Sequence, residues 1–456
     1  MSGEVRFEEI LRAVQDGSLR LELDAVSIIA PDRPVTAVPF RFSVTVADQR
    51  FLCRWRLQPG QEVPDELASL VSSPNRSISS AADAYEIIGR TEKGIAVRLT
   101  GVRPYPSTTH YGSGATHYES NFDQLHFPAE GSDALNTEQH LARLNAVGGV
   151  PDSAVVPDRK GEPEEDLLAI IPAVELQILQ PGTETRVLHP LFGETFHLQS
   201  NCFLGEVLGG KFCLEAKKGE LFVHFRRPVA AAVNVPSAHT VFEGVLAALG
   251  YTHGCHPWPI FQEHRIDLRV VERWIRPYAN RSTRVQLPIE AGRLATADGE
   301  RLFQCAAKFF AGGGDEVATF RRALWLMREA TRHGMAFEIR LITLCSIFEG
   351  LMHMLAKTVL TADEEKLVRS QRWSRLIIQL GLPWDNVFEK AFESWQFYRH
   401  PLAHGFKRPS GETNATVFHA YSRLSAAIHI LMAKRMGFVG HLDISPMESA
   451  ATVELK

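Results

Sequence analysis

The hydrophobic repeat changes near residue 301 from a period of two to a period of 3.6, and one regular element type cannot satisfy both. Upstream, Leu19, Leu21 and Leu23 alternate with polar neighbours, as do Phe40, Phe42, Val44 and Val46. Residues two apart share a face of a strand, so each run offers a sheet one apolar side. Residues 51–57 and 95–99 continue the pattern, while 104–118 reads as loop chemistry. A stretch over 127–166, rich in Gly, Pro and charge, reads as a linker or insertion with one short helical piece at 137–145. Strand-like runs resume at 167–179, 195–198, 211–214 and 221–225, followed by a helix over 238–249 and a strand over 266–271.

Downstream, Val317, Phe320, Leu324 and Met327 form a helical stripe, entered through Asp315 and Glu316 and left through Gly334. Phe337, Leu341, Leu344, Phe348, Leu351 and Leu355 form the next. Its other faces are also apolar, so this helix should be central. Thr361 and Glu364 make a capping box opening a third helix that stops at Gly381. Phe388, Phe392, Trp395 and Arg399 follow at helical spacing, and Val417, Tyr421, Leu424, Ile428 and Leu431 complete the set. The predicted class is multidomain α+β, a β-rich N-terminal half (sandwich or open barrel) followed by an independent all-α bundle. The divisions expected are 1–125 and 167–300 as β-rich units, 126–166 between them, 301–440 as the bundle and 441–456 as a tail.

The chain of 456 residues, 45% hydrophobic and 22% charged, has the composition of an ordinary folded protein. The start has no basic segment leading into an apolar run, and the apolar stretch 341–356 is broken by Glu349 and His353 and too short to cross a bilayer. No membrane partner and a cytoplasmic location are expected. Six scattered cysteines without a Cys-x-x-Cys pair fit a reducing compartment and offer no thiolate zinc cage. The net charge of −4 conceals an asymmetry: residues 303–436 carry 18 Lys/Arg against 12 Asp/Glu. A basic C-terminal third on an acidic body points mildly toward a polyanion there.

Several local patterns have ordinary readings. Gly205, Gly209, Gly210 and Lys211 imitate a phosphate loop, but Phe212 stands where magnesium coordination needs Ser or Thr, so a hairpin turn is the better assignment. His253, Cys255, His256 and His264 lack the second ligand pair of a structural zinc site. Serines 72, 73, 77, 79 and 80 have no Gly-x-Ser-x-Gly elbow, and Gly312 to Gly314 reads as a hinge. No cofactor and no metal are expected.

The segment from Phe397 to Gly405 is different. Arg399 falls on the buried stripe of its helix, where a guanidinium needs a carboxylate or an anionic ligand; Glu349, the isolated acid in the middle of the central helix, is the expected partner. His404 follows five residues later. In an unbroken helix the two would point 140° apart, and Pro401 is expected to bend or stop the helix and relieve this.

Arg399, four residues, His404 and then Gly405, late in an all-α bundle, resembles the Arg-x(4 to 6)-His motif of HEPN domains, and the helix bearing Glu349 is similar to their acid-bearing central helix. The nearest resemblance is to the Apea-like HEPN group of prokaryotic phage-defence proteins, in which such a bundle follows a β-rich region. Many members carry Asn directly after the Arg, where this chain has His400 followed by Pro401. The resemblance implies a metal-independent endoribonuclease of antiviral or abortive-infection type, or a non-catalytic relative that binds RNA or a nucleotide. It implies Arg399, His404, His400 and Glu349 as site residues, a homodimer through the bundle, and an N-terminal half that senses an unknown trigger.

Overall fold

The structure is a computed structural model that describes residues 7–29, 36–38, 41–47, 50–57, 85–92, 94–110, 116–128, 164–172, 185–188, 195–198, 202–217, 220–229, 236–253, 259–266, 269–277, 297–330, 336–384, 387–405, 409, 411–444 and 451–455. The expected helical piece at 137–145 and the serines at 72–80 lie outside these residues.

A short amphipathic helix α1 (Phe7–Gln15) precedes strands β1 (Arg20–Ile29), β2 (Thr36–Ala37), β3 (Phe42–Ala47), β4 (Arg50–Leu57), β5 (Tyr85–Thr91), β6 (Ala96–His110), β7 (Thr116–Phe122) and β8 (Gln124–Pro128). All pairings are antiparallel. β1 lies between β3 and β5, β4 between β3 and β7, and β6 between β5 and β7, so six strands close into a ring. Phe42, Val44, Phe51, Trp55, Ile87 and Leu99 are buried in its core. Closure depends on β6 and β7, whose stretch 104–118 reads as loop; cross-strand pairing from His110 opposite Thr116 to Arg103 opposite Asn121 overrides that local preference.

β8 prolongs β7 along β6 and leaves the ring, pairing on its other side with β16 (Arg269–Ile275). Through this seam the sheet continues into β15 (Phe261–Ile266), β9 (Glu164–Pro172), β14 (Glu220–Pro228), β13 (Gly210–Lys217) and β12 (Cys202–Val207). Fourteen strands thus form one antiparallel sheet. Two two-stranded sheets stand apart from it: β10 (Thr185–Leu188) with β11 (Thr195–Leu198), and β17 (Gly440–Ile444) with β18 (Ala451–Leu455). In place of the single strand expected over 266–271, Ile266 ends β15 and Arg269 begins β16, paired opposite one another, and residues 267–268 lie outside the described ones. The imitation phosphate loop is the turn between β12 and β13, with Leu208 at φ 45° and Gly209 at φ 77°, so no phosphate cradle forms there.

Helix α2 (Ala238–His253) leads to α3 (Ala297–Gly312), α4 (Asp315–Ala330), α5 (Phe337–Val359), α6 (Arg369–Gln379), α7 (Val387–Gly405) and α8 (Asn414–Arg435). The architecture is a mixed α+β one in two parts, a large antiparallel sheet followed by six helices, α3 to α8. The Thr361 and Glu364 capping box forms, but it opens a 3-10 turn over Glu364–Lys366, and α6 starts three residues later. The 23-residue α5 is long and apolar enough to cross a bilayer, since one acid and one histidine do not outweigh its aliphatic content; half of that apolar window is buried inside the protein.

The expected independence of the bundle gives way to a shared core. One contiguous cluster runs from Leu167, Phe212, Leu214 and Phe225 of the sheet through α2 and α3 to Leu424 and Ile428 of α8. Phe303 of α3 is fully buried, its ring edge-on to Phe203 and tilted against Phe212. Gly244 lets α2 and α3 approach closely, because a Cβ there would meet the Ala307 carbonyl oxygen and the Ala311 nitrogen at 2.8 Å. Tyr251 donates to the His429 carbonyl at 3.0 Å, tying α2 to α8. The expected C-terminal tail is the β17 and β18 hairpin, with Leu442 and Leu455 in the same core.

A row of alternating charge crosses the seam on one face: Arg227, Glu165, His264, Glu272 and His126, from β14, β9, β15, β16 and β8. On the other face Glu263, fully buried, is held by Arg265 and Arg273. Both ring nitrogens of His264 face carboxylates, at 2.9 Å from Glu165 and 3.4 Å from Glu272. Burial alone would lower its pKa, but the Glu272 hydrogen bond and the Glu165 charge raise it. Hydrogen bonds from His126 and His264 hold Glu272 at about 2.

Phe303→Ala is expected to cost about 3–5 kcal/mol and to lower the stability of sheet and helices together, seen as one urea transition by circular dichroism and by tryptophan fluorescence. The charged row contributes fully where Glu272 is ionised and His264 protonated. Its stabilisation is lost as pH rises above about 6.5 through the raised His264 value, and as pH falls from about 4.5 toward the lowered Glu272 value. The urea midpoint of the native chain should therefore fall above about pH 6.5, and His264→Gln should flatten that limb.

Candidate functional site

Helix α5 packs against α4, α6, α7 and α8, which places Glu349 at a junction of three helices. Its carboxylate is only 16% exposed. Arg399 of α7 donates from Nε to Oε2 at 2.5 Å. Arg369, the first residue of α6, brings Nη1 to 3.6 Å from Oε1, and His353, one turn along α5, brings Nε2 to 3.8 Å from the same oxygen. One carboxylate thus faces two guanidinium groups, leaving a surplus positive charge at a surface where Arg369 and Arg399 are 44% and 39% exposed.

Aromatic rings fix this arrangement from below. Arg369 lies over Trp395 at 4.9 Å and over Trp373 at 5.9 Å, and the buried Trp373 is packed by Phe348, Phe392 and Trp395. A guanidinium on an indole face keeps its donors directed outward. Val368 in the cap position of α6 offers no side-chain acceptor, and the first turn of α6 contains no acid. The positive end of that helix dipole therefore adds to the Arg369 charge.

Burial and the Arg372 charge lower the His353 pKa despite Glu349. Burial pushes the Cys345 thiol up to about 12, which removes a thiolate beside Glu349.

Pro401 does not break α7. The helix runs through it to Gly405, because a proline so near the C-terminus removes only the hydrogen bond that its own nitrogen would have given the Phe397 carbonyl. Arg399 and His404 consequently remain about 140° apart around the helix axis. Arg399 sits at the edge of the packed face and reaches Glu349. His400 and His404 occupy the outward face with Phe397, all exposed, and their imidazole centroids are 4.4 Å apart. The structure brings together Glu349 with Arg399, and His400 with His404, but it does not join the two pairs in one chain.

Arg369 and His353 have no counterpart in the sequence expectations. The spacing of Arg369 to Trp373, four residues on the same helical face, is the one signal that could have indicated a stacked guanidinium. Among the described residues no group of three or more His, Cys, Asp or Glu could hold a metal. His264 is committed to its two carboxylates, and residues 254–258 lie outside the described ones. Comparison with protein-family models, with curated proteins and with solved structures finds no match for this chain.

A double-mutant cycle of Glu349→Gln with Arg399→Ala, read from urea denaturation, should give a coupling energy of about 0.5–3 kcal/mol. The cycle of Glu349→Gln with His404→Ala should give about zero within ~0.5 kcal/mol, since the two side chains do not share a partner.

Proposed function

We propose that the C-terminal helices act on RNA as a HEPN-like unit that cleaves the strand without metal, in a cytoplasmic defence setting, and that the β-rich half senses the trigger. The observation that carries this reading is the Glu349 and Arg399 pair, which joins the central helix to the helix that ends in His404. Cleavage through the RNA's own 2′-hydroxyl needs a base for that hydroxyl, an acid for the departing 5′-oxygen, and cations beside the phosphorane. Imidazoles supply the first two roles as base and acid, and guanidinium groups supply the third. Glu349 holds Arg399 at its Nε, a mode that leaves the terminal nitrogens oriented for phosphate oxygens.

Since Arg399 and His404 diverge on one helix, the reading requires a second copy of the chain. Two α7 helices facing one another across a two-fold axis would present histidines from both copies to a cleft edged by arginines from both. The same divergence favours a second reading, in which the dimerised bundle binds RNA or a nucleotide through Arg399 and Arg369 and cuts nothing.

His404→Ala separates the two. In the catalytic reading it lowers turnover of a single-stranded RNA by about 10²–10⁴, with the loss unaffected by chelator and with stability changed by no more than ~0.5 kcal/mol. Arg399→Lys should weaken both cleavage and RNA affinity, because an ammonium cannot reproduce the guanidinium fork. RNA binding that survives His404→Ala, in a native chain that never cuts RNA, would establish the binding reading instead.

A further inference from the structure

The imidazoles of His400 and His404 are four residues apart on one face of α7, one turn above one another, with ring centroids 4.4 Å apart. Both side chains are exposed, and the structure gives neither ring nitrogen a hydrogen bond to a described residue. Imidazoles at positions i and i+4 of a helix can each turn a ring nitrogen toward a common point, as transition-metal coordination requires.

One further feature makes that point favourable for a cation: His404 lies in the last turn of α7, where the closing carbonyls carry the negative end of the helix dipole. Arg399 is directed to Glu349 on the other side of the helix and does not oppose a cation on this face.

We infer that His400 and His404 form a bidentate surface site for a borderline divalent transition-metal ion, Zn²⁺, Ni²⁺ or Cu²⁺, whose remaining positions are open to water. The affinity order should place Cu²⁺ above Zn²⁺. Such an ion would occupy the histidine lone pairs that the ribonuclease reading employs, so it would inhibit cleavage; the site itself does not depend on that reading.

The test is calorimetric titration of the metal-free, full-length chain with Zn²⁺ alone at pH 7.5, in parallel with His400→Ala, His404→Ala and the double variant. The native chain should bind one more equivalent than the double variant, and each single variant should lose affinity by about tenfold or more, since the second donor acts at high effective concentration on the same rigid turn. Ala403→His in the His404→Ala background should restore binding, because residues 400 and 403 also share a face. Equal Zn²⁺ stoichiometry and affinity in native and double-variant chains would overturn the site, as would failure of Ala403→His to rescue a folded chain. Adding RNA keeps the two ideas separate. Zn²⁺ binding that is lost in the double variant, accompanied by cleavage that saturating Zn²⁺ leaves unchanged, supports the metal site and removes His404 from the cleavage mechanism.

Discussion

Burial of the Phe303 ring between Phe203 and Phe212 joins the two halves of this protein into one object. Neither β12 and β13 nor α3 could leave this contact without exposing an aromatic ring to water, at a cost of several kcal/mol. The contact fixes α3, and the close approach of α2 at Gly244 then fixes α2. The remaining helices build outward from that pair, with α5 innermost. The position of Glu349 therefore follows from packing that begins at the sheet, and a change in the sheet has a continuous apolar path to the helices that carry the charged cluster.

At that cluster, charge is held in surplus rather than balanced. A lone carboxylate at the junction of α5, α6 and α7 would be costly if unpaired, and one guanidinium would be enough to satisfy it. The structure supplies two, one of them seated on tryptophan faces, and places them where solvent can reach them. The excess leaves positive charge in reach of solvent at the junction of three helices.

The sequence made some of this visible and hid the rest for identifiable reasons. α4, α5 and α8 each carry their apolar residues at their own helical spacing, so their stripes could be read in isolation. The Arg399 and Glu349 pair was legible because a guanidinium on a packed stripe must have a partner. α3 was not, since three of its buried positions are alanines, Ala306, Ala307 and Ala311, which mark a close helix contact rather than an apolar stripe. The second half of β6 and the start of β7 were hidden by composition, as only their partners make those residues strands. Arg369 could not be singled out from the sequence, because its partners Glu349 and Trp395 come from α5 and α7. The effect of Pro401 was overestimated. The usual penalty for proline inside a helix assumes several turns beyond it, and here only one remains.

The course of β8 has a consequence in time. The ring of β1 and β3 to β7 is complete once residue 122 has been made, whereas the partner of β8's outer edge, β16, begins at residue 269. At about 5–20 residues per second, β8 waits roughly 7–28 s on the ribosome with its edge unpaired. An unpaired antiparallel edge is a template for another chain, and native strands limit that hazard by being short or by carrying charge. β8 is five residues long, and its side facing the seam includes His126, which later meets Glu272. The polar row across the seam therefore has a second role during synthesis: it makes the waiting edge a poor partner for anything except the strand that brings the matching charges.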